Sequence, residues 1–407
     1  MIPKSTDLFA AGTRMVAEEA VDLTVQSLNA YGAQHQHWAV AWSGGKDSTA
    51  TVTLLVRLIE EGRVMRPKSL SVFYADTRQE LPPLQAAAER IAAQLRTRDW
   101  INVETVRASL DKRFLVYILG RGVPPPNNNT FRWCTRQIKV EPMADAIEQR
   151  LASIPDNVLM ITGVRLGESA VRDRRIEMSC TKDGGECGQG WYQNVLPESA
   201  GIRGRIATLA PLLHWRVCHV WDWLKVFAPL PDFGGWDTTM LADAYGGDEA
   251  EEINARTGCI GCPLASKDLA LETIVQMPAW DHLRPLLSVK SVYRALRLPH
   301  NRLKKTGMDA GEIAQGKNKQ RMGPLTFSAR LWALDRIENI QRQCNEAAAR
   351  LGRPGVDLLN AEEAARIREL IELKTWPNGW DGDEPTGDTP LDHVFADGTV
   401  QPLLISA

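Results

Sequence analysis

The hydrophobic pattern changes period several times along the chain. Over residues 1–36, Leu8, Met15, Val21, Leu23 and Leu28 recur among polar positions, which predicts one or two amphipathic helices. An apolar run from His37 to Trp42 then reads as a buried strand. Val52, Leu55, Val56 and Ile59 follow on one helical face. The alternation continues as strand 38–43, helix from about 47 to 62, strand 69–75, helix 80–96 and strand 102–107. A later strand runs from Val158 to Val164. Strands alternating with helices imply an α/β fold, a parallel sheet flanked by helices. From about residue 267 the pattern is helical, most clearly over 326–351 and 360–376. Beyond Pro377 the chain is acidic and rich in Gly, Pro and Asp, which predicts a loosely ordered tail.

The junction after the first strand carries the most specific chemistry. Ser43-Gly44-Gly45-Lys46-Asp47-Ser48-Thr49 places a glycine turn between a strand and a helix. Glycines let backbone N–H groups approach an anion, the helix start adds a positive dipole end, and Lys46 adds a full charge. The Walker spacing GxxxxGK[ST] is absent. Ligands of parallel sheets sit at the carboxyl ends of the strands. The loop, Asp76-Thr77 and Gly163-Val164-Arg165 all fall at predicted strand ends, so one crevice can hold them. Residues 121–131 (Arg-Gly-Val-Pro-Pro-Pro-Asn-Asn-Asn-Thr-Phe) and the glycine-rich 180–194 read as segments over a site rather than parts of the sheet.

Composition adds less. The net charge of −2 does not select a nucleic-acid partner. No stretch of 18 apolar residues and no N-terminal apolar signal is present, so the expected location is cytoplasmic. Seven cysteines (134, 180, 187, 218, 259, 262 and 344) in such a chain point to metal binding or catalysis rather than a disulfide framework. Cys259 and Cys262 form a CxxC flanked by glycines, which suits a metal centre, structural zinc or a redox dithiol. Cys218, before an apolar helix, and Cys344, within a C-terminal helix, are expected to be buried thiols.

The Ser43–Ser48 loop resembles the SGGxDS loop of the PP-loop ATP pyrophosphatases, which cleave ATP between the α- and β-phosphates. Tyr74-Ala75-Asp76-Thr77 with Glu80 resembles the D-T-G…E segment of phosphoadenosine phosphosulfate (PAPS) reductases, with Arg78 where that family has glycine. Arg132-Trp133-Cys134-Thr135 with Lys139 and Pro142 resembles their R-x-C-[TC]…K…P. Gly163-x-Arg165-x-x-Glu168-Ser169-x-x-Arg172 resembles their G-x-R-x-x-E-S-x-x-R, and Pro211-Leu212-Leu213-His214-Trp215 with Val220-Trp221 their P-L-x-x-W…V-W. The resemblance implies an adenine nucleotide alpha hydrolase-like, PP-loop fold. Thr257-Gly258-Cys259-Ile260-Gly261-Cys262-Pro263 and Gly323-Pro324-Leu325-Thr326-x-x-x-Arg330 resemble the DNA phosphorothioation sulfurtransferase DndC and its relatives. That branch implies a [4Fe–4S] cluster on Cys134, Cys259 and Cys262. Its fourth ligand would be Cys187, with Cys180 next, or the cluster would be held by three cysteines only.

Four regions are therefore expected: helices over 1–36, a nucleotide-binding domain with the cluster cysteines over 37–266, a basic helical region over 267–376, and a tail over 377–407. Breaking an α–β phosphate bond needs positioned positive charge and Mg²⁺. Lys46, Asp47, Arg136, Arg165 and Arg172 are the expected catalytic residues. Ser43, Gly44, Gly45, Lys46, Asp47, Ser48, Thr49, Asp76, Thr77, Gly163, Arg165 and Glu168 are the expected ATP contacts, with Asp47 or Asp76 holding the metal. Glu168 either serves there or orients Arg165 or Arg172 in an ion pair. Between Arg284 and Arg330, eleven Lys/Arg stand against Asp309 and Glu312. That suits a polyanion surface with Tyr293 and Phe327 stacking on bases, or a basic face paired with the acidic tail. The resulting expectation is an ATP-dependent sulfurtransferase acting on DNA, with a cysteine desulfurase and other DNA-modification proteins as partners. The alternatives are a sulfonucleotide reductase, a tRNA-thiolating enzyme and a non-catalytic nucleic-acid scaffold. Glu186-Cys187-Gly188 only partly matches the reductases' catalytic E-C-G-[IL]-H.

Overall fold

The computed structural model describes residues 16–127, 131–154, 156–168, 170–179, 185–186, 190–193, 206–246, 257–307, 320–395 and 398–403. The chain divides into two compact units, and the division does not follow chain order. The first comprises Met1–Asp76, Pro82–Val106 and Glu141–Thr257. The second comprises Thr77–Leu81, Arg107–Val140 and Gly258–Ala407. Cys134, Cys259 and Cys262 thus fall in the second unit, whereas the phosphate-type loop lies in the first.

The first unit is a mostly parallel sheet flanked by helices. Its strands are β1 (His37–Trp42), β2 (Ser69–Ala75), β3 (Ile101–Val106), β4 (Val158–Thr162), β5 (Gly185–Glu186), β6 (Trp191–Gln193) and β7 (Ile206–Ala210). Their order is β3-β2-β1-β4-β7-β6-β5, with β6 antiparallel to both neighbours. The first five in that order are parallel. Continuous apolar runs make them: Trp38, Ala39, Val40 and Trp42 are all buried, as a strand covered on both faces requires. Helices α1 (Ala17–Gly32), α2 (Lys46–Glu60), α3 (Pro82–Arg96), α4 (Glu141–Ala152), α5 (Ala170–Ser179) and α6 (Val217–Trp221) belong to the same unit, with shorter helical turns that include Thr239–Tyr245. Ala39, Phe73, Met160 and Ile206, from four neighbouring strands, pack with Ala146 and Ile147 of α4 in one apolar cluster.

One sequence expectation changes here. Residues 185–186 and 191–193 are strands of the sheet, not a cover over a site. Tyr192 supplies the reason. It pairs with Leu209 of β7 and stacks on Tyr31 of α1 with ring centroids 4.6 Å apart. Residues 180–184, 187–189 and 194, including Cys180 and Cys187, lie outside the described residues.

The second unit is built on α9 (Phe327–Leu351) and α10 (Ala361–Glu372), with α7 (Leu269–Ile274), α8 (Val289–Ala295) and the hairpin β8 (Arg302–Lys304)–β9 (Met322–Leu325). Thr326 caps α9, its side chain accepting the Ala329 amide at 3.2 Å. Asn360 and Glu363 form a capping box at the start of α10. The Gly323-Pro324-Leu325-Thr326…Arg330 motif is accounted for by packing. Gly323 has no side chain because the Trp380 ring occupies that space. Arg330 is fully buried, and its guanidinium donates to the carbonyls of Leu325, Gly120 and Thr375 at 3.1, 3.2 and 2.8 Å. It lies 4.7 and 4.3 Å from the Phe327 and Trp376 ring centroids, and burial pushes its pKa down to about 9.

The tail also departs from expectation. Trp380 covers Gly323, Lys305 pairs with Glu384 at 2.7 Å, and Lys304 donates its amide to Pro385 at 2.8 Å. Apolar residues within an acidic stretch thus dock it on the second unit, at least through this stretch. Cys344 is buried as expected, but Cys218 is exposed. Helix α6 turns His219, Val220 and Trp221 inward, which leaves Cys218 on its outer side.

Replacing Arg330 by Met is expected to lower stability by about 3 kcal/mol, because three buried carbonyls lose their donor. A urea midpoint of this variant close to wild type would contradict the account.

Candidate active site

The strand order reverses between β1 and β4: the chain runs outward from β1 to β2 and β3 on one side, and from β4 to β7 on the other. Such a switch point opens a crevice at the strands' carboxyl ends. The loop after β1 and the segment after β4 both emerge there. Gly44 turns the loop at φ +72°, and a side chain on it would press on Tyr74. Ser43 and Ser48 close the loop, with their hydroxyls 3.0 Å apart and Ser48 donating to the Gly45 carbonyl at 3.1 Å. Thr49 is fully buried and accepts the Trp42 indole N–H at 2.9 Å, tying α2 to β1. Gly45 stands at the N-cap of α2 and has no side chain with which to cap it. The start of this 15-residue helix, past the Lys46 amide that Tyr245 takes, offers amides to the position an anion would take.

Charge is concentrated beside this helix start. Lys46 and Arg165 are both buried. Asp47 holds both: Oδ2 lies 3.1 Å from Lys46 Nζ and Oδ1 2.5 Å from Arg165 Nε. Arg165 also donates to the Trp215 carbonyl at 3.1 Å. The Tyr245 hydroxyl accepts the Lys46 amide at 3.2 Å, and the Lys46 ammonium lies 5.0 Å from the Tyr245 ring centroid. Tyr245 was not anticipated. An isolated Tyr in a weakly patterned stretch carries no local signal of its role. Two cations on one carboxylate leave an excess positive charge in a desolvated place, which suits a polyphosphate. A cavity of about 410 Å³ opens next to Arg165, between Gly167 and Trp215.

The other expected residues divide by unit. Asp76 is buried at the end of β2 and donates its amide to Val106 at 3.0 Å. Gly163 sits where a Cβ would strike the Ser48 backbone, so β4 and the start of α2 touch. Glu168 is partly buried, and the carboxylate on Arg165 is that of Asp47. Arg172 lies on α5, with its side chain outside the described residues. Thr77, Arg136, Cys134, Cys259 and Cys262 belong to the second unit, where Arg136 is exposed. Thr77 donates its hydroxyl to Glu80 at 2.6 Å. Arg78, at the family's glycine position, takes a left-handed φ of 63°. That conformation explains why glycine suits the position. Here Arg78 is held in it by Asp357 at 2.6 Å and Glu363 at 3.3 Å.

The three second-unit cysteines share one electrostatic neighbourhood. The Cys259 thiol is pushed up by burial first, then by Cys262, Glu80 and Cys134. Cys134 is raised by burial, with Cys262 adding to it. Gly261, between the CxxC thiols, turns the chain at φ 62°, and its amide donates to Asp268 at 2.8 Å. Lys290 Nζ donates to the Cys262 carbonyl at 2.9 Å. Among the described residues no three His, Cys, Asp or Glu side chains close on one ion position.

The basic segment is largely committed to structure. Arg284, Arg294 and Arg302 donate to the carbonyls of Val275, Ser266 and Gly323 at 3.2, 2.7 and 2.9 Å. Lys290 and Arg330 do likewise, and Lys305 pairs with Glu384. Tyr293, expected to stack on bases, is buried and packs edge-on against Phe114 at 5.6 Å. Its apolar neighbours outweigh the polar company it keeps in sequence.

Gly163→Ala should weaken nucleotide binding by at least about tenfold with the fold retained, since a methyl there forces α2 away from β4. Calorimetric titration with ATP, alongside circular dichroism, measures this. Unchanged affinity would mean that the contact is not needed.

The chain is similar to several known proteins. The phosphoadenosine phosphosulfate reductase domain matches residues 37–227. An uncharacterised protein of Methanocaldococcus jannaschii is 25% identical over 185 residues, 46% of this chain and 30% of that protein. The chain therefore spans about a third of that relative's length. A Candida auris PAPS reductase in complex with phosphate is 14% identical and covers 56% of this chain and 94% of its own, with a TM-score of 0.31. A Candida glabrata FMN adenylyltransferase bound to FMN and an ATP analogue is 16% identical and covers 53% and 60%, with a TM-score of 0.33. The reversal of strand order at β1 and β4, the loop Ser43–Thr49 and the Gly163–Arg165 turn all fall within the span, residues 37–227, that matches the phosphoadenosine phosphosulfate reductase domain.

Proposed function

We propose that the first unit binds Mg·ATP at Ser43–Thr49 and cleaves it between the α- and β-phosphates, activating an acceptor for sulfur transfer. The observation that carries this is the pair Lys46 and Arg165 held on the single carboxylate of Asp47 at the start of α2. In this reading the α2 amides and Lys46 bind phosphate oxygens. Arg165 stabilises charge developing on departing pyrophosphate, and both cations act from a desolvated place where they are worth more than in water. Asp47 keeps them in position. Both Asp47 oxygens already face cations, so this reading assigns the metal to Asp76, the other expected carboxylate. Bound Mg²⁺ would neutralise phosphate charge.

The acceptor we favour is the DNA backbone, with sulfur delivered by a cysteine desulfurase. The DndC-like motifs support it. The basic segment supports it less than its charge suggests, because most of its described cations are bonded within the second unit. For the [4Fe–4S] cluster, Cys134, Cys259 and Cys262 fit by donor chemistry and by their mutual charge effects. Their spacing in the structure does not yet close on one centre. A bound cluster would supply sulfur carriage or electron transfer. A second reading, a sulfonucleotide reductase, is favoured by the domain match over residues 37–227.

Incubating anaerobically prepared protein with Mg·ATP, with and without DNA, should yield AMP and pyrophosphate, with at least about a hundredfold loss in Lys46→Ala. ADP, or no turnover, would sink the ATP pyrophosphatase reading. Sulfite released from PAPS would establish the reductase instead. Separately, anaerobic reconstitution with iron and sulfide should give a broad visible absorbance that Cys259→Ser abolishes. An unchanged spectrum in that variant would remove the cluster from the CxxC.

A further inference from the structure

The second unit contains a cavity of about 620 Å³ that the reading above does not use. That size lies within the range of small-ligand sites, about 300–1,000 Å³. Arg297, Arg302 and Arg321 line it, with Tyr117, Phe131 and Trp380, and among the described residues lining it none is acidic. Arg302 donates through Nε to the Gly323 carbonyl at 2.9 Å. Arg297 donates to the carbonyls of Pro126 and, at 3.2 Å, Pro263. These partners are neutral, so they hold the guanidiniums without cancelling their charge. Burial lowers the pKa of both, and for Arg302 the nearby Arg297 lowers it further. Arg297 Nε is buried with no partner. Repelling cations kept together in a partly dry cavity favour an anion between them.

The wall beside these arginines is aromatic. Phe131 is 40% exposed, a large ring left open on the cavity's edge. Asn127, just after Pro124-Pro125-Pro126, donates its amide to the Phe131 carbonyl at 3.1 Å, and its Oδ1 accepts the Phe131 amide at 3.2 Å. An open ring next to an anion clamp is the combination that receives a base and its phosphate together.

We infer that this cavity is a second nucleotide-binding site, with the phosphate between Arg297 and Arg302 and the base against Phe131. It does not depend on the ATP chemistry of the first unit. The ligand comes either as a free mononucleotide or as one unit of a single strand. The geometry favours a single base–phosphate unit over a duplex, because the arginines line a cavity and not a ridge.

The test is fluorescence polarisation of full-length protein with fluorescein-labelled (dT)8, competed by thymidine 5′-monophosphate or inorganic phosphate. Lys46→Ala is included so that the Ser43–Thr49 loop does not contribute. Arg302→Gln keeps a donor for the Gly323 carbonyl and should weaken binding about tenfold, with a shallower salt dependence. Phe131→Ala, at an exposed position, should weaken it at least about fivefold without changing the melting temperature. Competition by the mononucleotide at comparable concentration identifies a free nucleotide as the ligand. Binding of the oligonucleotide alone identifies a strand. No binding by Lys46→Ala, equal binding by both cavity variants, or full displacement by inorganic phosphate with Phe131→Ala unaffected would each overturn the assignment.

Discussion

The contact between β4 and the start of α2 is the constraint on which the first unit's chemistry rests. Gly163 lies against the Ser48 backbone, and Arg165, two residues later, reaches Asp47. A larger residue at 163 would separate two elements that are far apart in sequence but contribute to one crevice. The parallel pairing of β1 with β4, His37 opposite Val158 through Ala41 opposite Thr162, sets both segments at the same height. The strand register thus fixes where the cations meet, and Asp47 then fixes their orientation.

That arrangement has an energetic direction. Lys46 and Arg165 are 8% and 3% exposed, so folding has already removed them from water. One carboxylate offsets part of the cost, and Tyr245 adds a ring face and a hydroxyl. The remainder is positive charge without a counter-ion, which a polyphosphate can supply. Binding an anion there recovers interaction energy that folding spent, and little side-chain rearrangement is needed when it arrives.

The fold of the first unit was legible because its strands are covered on both faces. Continuous apolar runs at 38–43, 69–75 and 158–164 cannot face water, and their alternation with helical faces leaves few topologies. The turn at Ser43–Thr49 was legible because a Gly-Gly pair between a strand and a helix marks a tight turn, and Gly44 takes a φ of +72° there. What sequence did not reveal depended on distant partners. Tyr245 acquires its role only by folding back on Lys46, some two hundred residues away. Residues 185–186 and 191–193 are too short to carry a periodic signal, and became strands because Tyr192 packs on Tyr31. The tail looked disordered by composition, yet Trp380 and Glu384 anchor it on Gly323 and Lys305.

The same lesson bears on charge. Eleven basic residues between Arg284 and Arg330 read as a surface for a polyanion. In the structure, most of those described serve as donors to carbonyls at turns and helix ends, where a guanidinium or ammonium substitutes for a missing amide. Cations used this way stiffen a unit that has few long elements besides α9 and α10. Charge counts therefore overstate what is available to a ligand. The informative cations are those bound only by neutral groups, because their field is undiminished while their position is fixed. Arg297 and Arg302 meet that condition, whereas Lys46 and Arg165 share the one carboxylate of Asp47. Both sets place fixed, incompletely neutralised positive charge at a concave surface, and one of them adds an open aromatic ring.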